Sequence, residues 1–252
     1  MIRYRVLLVG AGQLGSRHLQ GVKQVGLPLS INVIDPNPDS LELAKQRYEE
    51  SFNSSFEHPI EFFHNLQSLK NKEFDLAIIA TNSDVRRRVL EDLFRQNTVK
   101  SVILEKLLFQ RREDFSVINE IFSKYNTRAW VNCSMRSMPF YQKLKEIFNL
   151  SVIRYAVSGS RFGLVTNLIH YIDHMIFLTG CSDFIVDPTH LDTKLIASKR
   201  KGFLEMNGNF HVYFKNGSTG IFTCYPEGDL PILVEVISKD ARSISREWEK
   251  KA

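Results

Sequence analysis

Through the first half of the chain, apolar residues fall in short runs that alternate with longer segments of helical character. Residues 4–9, 30–35, 60–63, 74–80 and 101–104 form the runs. The run at 74–80 is nearly continuous in apolar residues, as a parallel strand buried on both faces must be. Between them, residues 13–25, 36–50, 84–95 and 113–125 read as helices. Gly26-Leu27-Pro28 stops the first, Pro36-Asn37-Pro38-Asp39 opens the second, and Thr81-Asn82-Ser83 is suited to cap the third. Strand and helix alternate to about residue 127, which predicts a doubly wound α/β domain around a parallel sheet.

From Arg128 the pattern changes. Residues 129–133 predict a sixth strand and residues 139–148 a linking helix. Strand-like runs follow at 151–158, 203–214, 220–224 and 232–238, punctuated by Asn207-Gly208 and Asn216-Gly217. The expected division is residues 1–127 for the parallel-sheet domain and residues 128–252 for a smaller α+β domain with a mostly antiparallel open sheet.

Composition narrows the function classes. With 252 residues, 43% hydrophobic and 24% charged, the chain is of ordinary globular make-up and long enough for two domains. The formal charge of +5 is the difference between 33 scattered basic and 28 acidic residues, so nucleic acid is not an expected partner. The densest basic runs, Arg86-Arg87-Arg88 and Lys199-Arg200-Lys201, are expected on a solvated helix face and in a loop. No run of about 18 apolar residues exists and the first residues enter a strand directly, so the expectation is a cytoplasmic protein without a membrane partner. Cys133, Cys181 and Cys224 are far apart and odd in number, which points to neither a disulfide framework nor a zinc cluster.

The first strand leads into Val9-Gly10-Ala11-Gly12-Gln13-Leu14-Gly15, with glycines in the G-x-G-x-x-G spacing. Gly10 permits a tight turn, Gly12 lets a pyrophosphate approach the backbone, and Gly15 lets the helix pack on its strand. The free N–H groups of that helix's first turn, around Gln13 and Leu14, suit a dinucleotide's phosphates. The second strand ends in Asp35, about 20 residues on, where a carboxylate accepts hydrogen bonds from a ribose hydroxyl. Strand, glycines, helix and acid together predict a dinucleotide site. Asp35 favours NAD over NADP, because it would repel a 2′-phosphate. Thr81 and Asn82 follow the fourth strand and Glu105 and Lys106 the fifth, all at the carboxyl edge where dinucleotides bind.

One helix interrupts the later strands, from Thr166 to Thr179, and stops at Gly180. Thr166, Asn167, His170, Asp173 and His174 fall on one face; Leu168, Ile169, Ile172, Met175 and Ile176 fall on the other. A polar face on so apolar a helix gathers groups able to exchange protons and orient one another. His170 and His174 at i, i+4 would suit a metal, but no third ligand is evident, so no metal is expected.

These motifs, in this order, resemble the Gfo/Idh/MocA family of nicotinamide-dependent oxidoreductases over essentially the whole chain. The resemblance implies a Rossmann domain followed by an α/β domain whose open sheet binds substrate and forms the interface of a homo-oligomer. It implies an NAD-dependent dehydrogenase acting on CH–OH groups of sugars, nucleotide sugars or cyclitols. Glu105-Lys106-Leu107 is similar to the family's E-K-P motif, and residues 166–170 to its D-x-x-x-H motif. Lys106, His170 and Asp173 are then the catalytic candidates, and Gly10, Gly12, Gln13, Leu14, Asp35, Thr81, Asn82 and Glu105 the cofactor-binding set. Leu107 stands where the motif has proline, and a cis peptide is costly without proline. Thr166 stands where it has aspartate, leaving Asp173 to supply a carboxylate to His170. The charged tail from Arg242 reads as unfinished, and a reduced second sheet is expected. The competing reading is a protein that binds NAD but is catalytically silent, with a regulatory or accessory role.

Overall fold

The computed structural model describes residues 2–52, 55–200 and 202–247. Two residues of the polar connection (53 and 54), Lys201 of the second basic run, and residues 248–252 of the charged tail lie outside the described residues. The chain forms two compact units, Met1–Asn132 and Cys133–Ala252.

The first unit is a six-stranded sheet made of β1 (Tyr4–Val9), β2 (Leu29–Ile34), β3 (Ile60–Phe63), β4 (Glu73–Ile79), β5 (Thr98–Leu104) and β6 (Arg128–Val131), in the order β3-β2-β1-β4-β5-β6. Every pairing is parallel. The crossovers carry α1 (Gln13–Lys23), α2 (Pro38–Glu50), α3 (Ser83–Gln96) and α4 (Arg112–Lys124). Because side chains alternate along a strand, β1 feeds two cores at once. Leu7 and Val9 join Phe74, Ala77, Leu90 and Phe94 on one face, while Val6 and Leu8 join Leu19, Ile31 and Val33 on the other. Each large side chain so buried contributes about 1.5–3 kcal/mol. β6 pairs with β5, so the segment from Arg128 completes the first sheet and the units meet at Asn132 and Cys133, five residues beyond the boundary at residue 127.

Arg86 corrects the expectation of a fully solvated basic face on α3. It is 1% exposed, and its guanidinium donates to the carbonyls of Thr81, Glu105, Leu107 and Leu108. Arg87 and Arg88 do face outward, toward Glu91, Asp114 and Asp92. The peptide bond Lys106–Leu107 is cis despite the absence of proline.

The second unit holds α5 (Pro139–Phe148), β7 (Arg154–Ser160), α6 (Leu164–Thr179), β8 (Phe184–Asp187), β9 (Ile196–Ala197), β10 (Leu204–Glu205), β11 (Gly208–Phe214), β12 (Thr219–Tyr225), β13 (Ile232–Ile237) and β14 (Arg242–Glu247). Six strands form a mixed sheet, β14-β13-β7-β12-β11-β8, in which only β7 and β12 run parallel. The charged segment from Arg242 belongs to this sheet and pairs along the whole of β13. The run at 203–214 is two strands. β10 pairs with β9, and β11 starts afresh at Gly208, where a Cβ would stand 2.7 Å from the Asp192 nitrogen and the His190 carbonyl oxygen.

One face of this sheet carries Tyr155, Val157, Phe222, Cys224, Val234 and Val236 into a core with α5 and α6. α6 lies so close that a Cβ on Gly220 would stand 2.8 Å from the Met175 sulfur. The alternate residues Tyr213, Ile221, Tyr225 and Ile244 stay exposed on the other face.

Candidate functional site

The turn after β1 is shaped by what its glycines lack. Gly10 has φ +90°, and a Cβ there would lie 3.0 Å from the Thr81 nitrogen; a Cβ on Gly15 would lie 1.8 Å from the Gly10 carbonyl oxygen. Those two positions hold the turn against β4 and α1 against the turn. Gly12 differs: a Cβ there meets nothing within 4 Å, so its side of the turn is open space in front of the first turn of α1. That opening is what a phosphate needs in order to reach backbone N–H groups.

Around the opening, Asp35 is fixed by two backbone donors: the Ala11 N–H at 2.7 Å to one carboxylate oxygen and the Asn37 N–H at 2.9 Å to the other. Arg47 of α2 donates to the Gln13 side-chain oxygen at 2.8 Å and to the Ser16 hydroxyl at 2.6 Å, which ties Gln13 to the helix start. Leu14 is exposed. Thr81 and Asn82 correct the capping expectation, since α3 begins without a side-chain cap at Asn82. Instead the Thr81 hydroxyl is buried with no hydrogen-bond partner. An orphaned buried hydroxyl beside a glycine turn that is open at Gly12 fits a bound dinucleotide, and the donors and acceptors present suit its phosphates and ribose.

Glu105 is 4% exposed and accepts from His18 Nε2 and from Asn132 Nδ2, both at 2.6 Å. Burial pushes its carboxyl up, but the His18 and Asn132 hydrogen bonds outweigh that, and the group ends below its usual value. Lys106 is half-buried at the adjacent position, on the loop whose carbonyls Arg86 gathers. Nothing in the triple-arginine run signals that one of its cations turns inward.

In the second unit, α6 starts after Gly163 (φ +76°) and ends at Gly180 (φ +69°). Two N–H groups of its first turn, on Val165 and Thr166, donate to the Glu205 carboxylate at 2.9 and 3.2 Å, so an acid from β10 complements the helix dipole. The polar face expected on α6 divides. Asn167, His170 and Tyr171 line a cleft of about 840 Å³, together with Ser134, Met135, Tyr141, Ser160, Arg161, Phe162, Lys199 and Ile232 among others. His174 does not share it. It is fully buried, stacked edge-on against Tyr141 and Tyr155, with Nδ1 2.8 Å from the Tyr155 hydroxyl and Nε2 without a partner. Burial first, and the Arg136 charge second, push its pKa down to about 4.

Asp173 is also differently placed. Both its oxygens accept from Arg136, each at 2.7 Å, in a two-pronged pair that fixes the Ser134–Ser137 turn to α6. Arg136, Tyr155 and Glu205 are contributors that periodicity could not reveal, because each is distant in sequence from α6. Among the described residues no group of three His, Cys, Asp or Glu side chains could hold a metal ion, and no helix is long and apolar enough to cross a membrane.

Known structures share this architecture. The myo-inositol dehydrogenase of Lactobacillus casei, solved with NAD(H) and myo-inositol, superposes with a TM-score of 0.72 at 16% identity, covering 100% of this chain and 76% of that one. The UDP-N-acetylglucosamine 3-dehydrogenase of Acidithiobacillus ferrooxidans gives 0.73 at 15% identity over 98% of this chain and 75% of that one. The myo-inositol 2-dehydrogenase of Lactobacillus plantarum gives 0.71 at 16% identity over 97% and 76%. No curated protein matches the chain by sequence. The family model described as an oxidoreductase family with an NAD-binding Rossmann fold matches residues 4–133, which covers the glycine turn, Asp35, Thr81 and the Glu105-Lys106 loop. On that match the chain belongs to the Gfo/Idh/MocA oxidoreductase family, and its first unit is an NAD-binding Rossmann domain.

Proposed function

We propose that the protein is an NAD-dependent dehydrogenase acting on a hydroxyl-bearing carbon of a sugar, nucleotide sugar or cyclitol. The observation that carries the reading is the cleft of about 840 Å³ that presents His170 in the second unit of a chain whose first unit is an NAD-binding oxidoreductase domain. NAD would supply the hydride chemistry when bound; the chain supplies binding, orientation and proton transfer. The Gly12 side of the turn and the first turn of α1, with Gln13 and Leu14, hold the pyrophosphate, and Asp35 takes the ribose hydroxyls. Thr81, Asn82 and Glu105 complete the cofactor edge.

In this reading His170 accepts the hydroxyl proton during oxidation and gives it back during reduction, a two-way role for which imidazole is the commonest side chain. Lys106 is the other catalytic candidate, an ammonium able to polarise a reacting oxygen, and Glu105 with its hydrogen-bonded carboxylate keeps its loop in place. Asp173 serves at one remove, by anchoring Arg136 and with it the turn that brings Ser134 and Met135 to the cleft. The uncovered face of the second sheet, with Tyr213, Ile221, Tyr225 and Ile244, is where copies of the chain associate.

That Asp173 is held by Arg136, and that Thr166 replaces an acid, favours a second reading in which the protein binds NAD without turning it over. Following NAD reduction across a panel of polyols, sugars and nucleotide sugars separates the two. Turnover of a panel member supports the dehydrogenase; tight NAD binding with no reduction by any of them supports the silent protein.

A further inference from the structure

The cleft beside His170 opens into a second, smaller hollow of about 410 Å³, and the two share Ser160, Arg161, Lys199 and Leu230. The junction is built by the end of β7. There the Ser160 N–H donates to the Leu230 carbonyl at 3.1 Å and the Arg161 N–H to the Tyr225 carbonyl at 3.0 Å. Arg161 is held at φ +48°, a left-handed conformation uncommon for a residue with a side chain. Backbone strain of this kind is kept where the surroundings over-determine it, often at ligand sites.

The charges at the junction are unbalanced. None of the residues lining the larger cleft is an acid, while Arg161 and Lys199 both reach it. Arg161 pairs with Asp229 at 2.5 Å, but Asp229 is 91% exposed, and exposed ion pairs are weak. Lys199 has no ion-pair partner among the described residues. Ser160, which lines both hollows with the two cations, has its hydroxyl buried with no hydrogen-bond partner. Two cations and an unused hydroxyl, sited where an apolar and aromatic cleft meets a polar hollow, are the parts of an oxyanion receptor.

We propose that Arg161, Lys199 and Ser160 recognise an anionic group, a carboxylate or a phosphate, carried by the sugar-like substrate whose hydroxyl-bearing carbon lies toward His170. This rests on the reading of the cleft as the substrate site. Asp229 is the resident counter-ion that the substrate's anion displaces from Arg161.

The test is calorimetric titration of the purified protein with D-glucose, D-glucuronate, D-glucose 6-phosphate and uridine diphosphate glucose, a neutral probe and three anionic ones. At least one anionic probe should bind tenfold or more tightly than glucose, and their ranking tells carboxylate from phosphate. The preference should shrink as salt rises. It should vanish in the Arg161→Gln/Lys199→Gln double variant and grow severalfold in Asp229→Asn. Equal or tighter binding of glucose, no binding of any probe, or a preference that survives the double substitution overturns the proposal. The readout needs no turnover, so a failure of the dehydrogenase reading shows separately. Anion preference without NAD reduction would sink that reading alone, while turnover of neutral polyols only, unaffected by the double substitution, would sink the receptor alone.

Discussion

The turn after β1 and the helix α6 are both bounded by glycine and both face space that a ligand can fill, yet they are specified in opposite ways. The turn is determined by its backbone. Gly15 and Gly10 meet at a distance that admits no side chain, and the opening at Gly12 exists because nothing projects into it. α6 is determined by side chains brought from elsewhere: Glu205 at its first turn, Arg136 on Asp173, and Tyr155 and Tyr141 around His174. A site of the first kind tolerates almost no change at its glycines. A site of the second kind can be dismantled from several distant positions.

The sharpest break in this comparison is expected at Gly15. Gly15→Val places a Cβ 1.8 Å from the Gly10 oxygen, which no rotamer change can relieve. Its cost should exceed about 3 kcal/mol, the upper end of overpacking penalties. Denaturant unfolding should show the loss, and a variant of wild-type stability would mean that the turn and α1 separate freely.

The next largest effect lies in the other region and depends on pH. His174 has its pKa lowered from 6.5 to about 4, so the neutral form is the one the fold favours. Its contribution is complete above the unfolded value of 6.5 and is lost as pH falls toward 4. The shift corresponds to about 3 kcal/mol. Unfolding measured between pH 7 and pH 4 should show this loss in the wild type and a flatter profile in His174→Leu. Identical slopes would assign the acid sensitivity to other groups.

A smaller effect on stability, but a large one on binding, is expected at Gly12. Gly12→Val should leave the melting temperature within a few degrees, since a Cβ there meets nothing within 4 Å. NAD affinity should nevertheless fall severely, because the side chain fills the pyrophosphate's space. Unchanged affinity in the folded variant would reduce the glycine to a structural role. Asp35 sets the finest distinction. With its carboxylate fixed by the Ala11 and Asn37 N–H groups, NAD(H) should bind at least tenfold more tightly than NADP(H), by like-charge repulsion of a 2′-phosphate. Titration giving the reverse order would contradict it.

The same contrast explains what was legible in the sequence. The parallel sheet, its crossover helices and the glycine turn are local in their requirements: unbroken apolar runs, a glycine spacing, and an acid at a fixed interval. All were readable, and β1 to β5 stand within a few residues of their expected places. The departures come from long-range partners. Helical periodicity put His170 and His174 on one face, but whether a histidine faces a cleft or a core depends on Tyr155, whose position in the sheet the period cannot encode. Arg86 looked like surface because its neighbours are; its acceptors are backbone carbonyls, which every sequence has and none advertises. β14 is too charged to read as a strand, and forms one because it pairs with β13 at the sheet edge, where charge is tolerated.

Whether α6 carries the proton chemistry is decided by His170→Ala, assayed on any substrate that reduces NAD. The expected result is a kcat lower by about 10²–10⁴-fold, an NAD dissociation constant within a factor of about two of the wild type, and loss of the rate dependence near neutral pH. A variant that turns over at the wild-type rate with the same pH profile would contradict the assignment, and would leave Lys106 as the acid–base candidate.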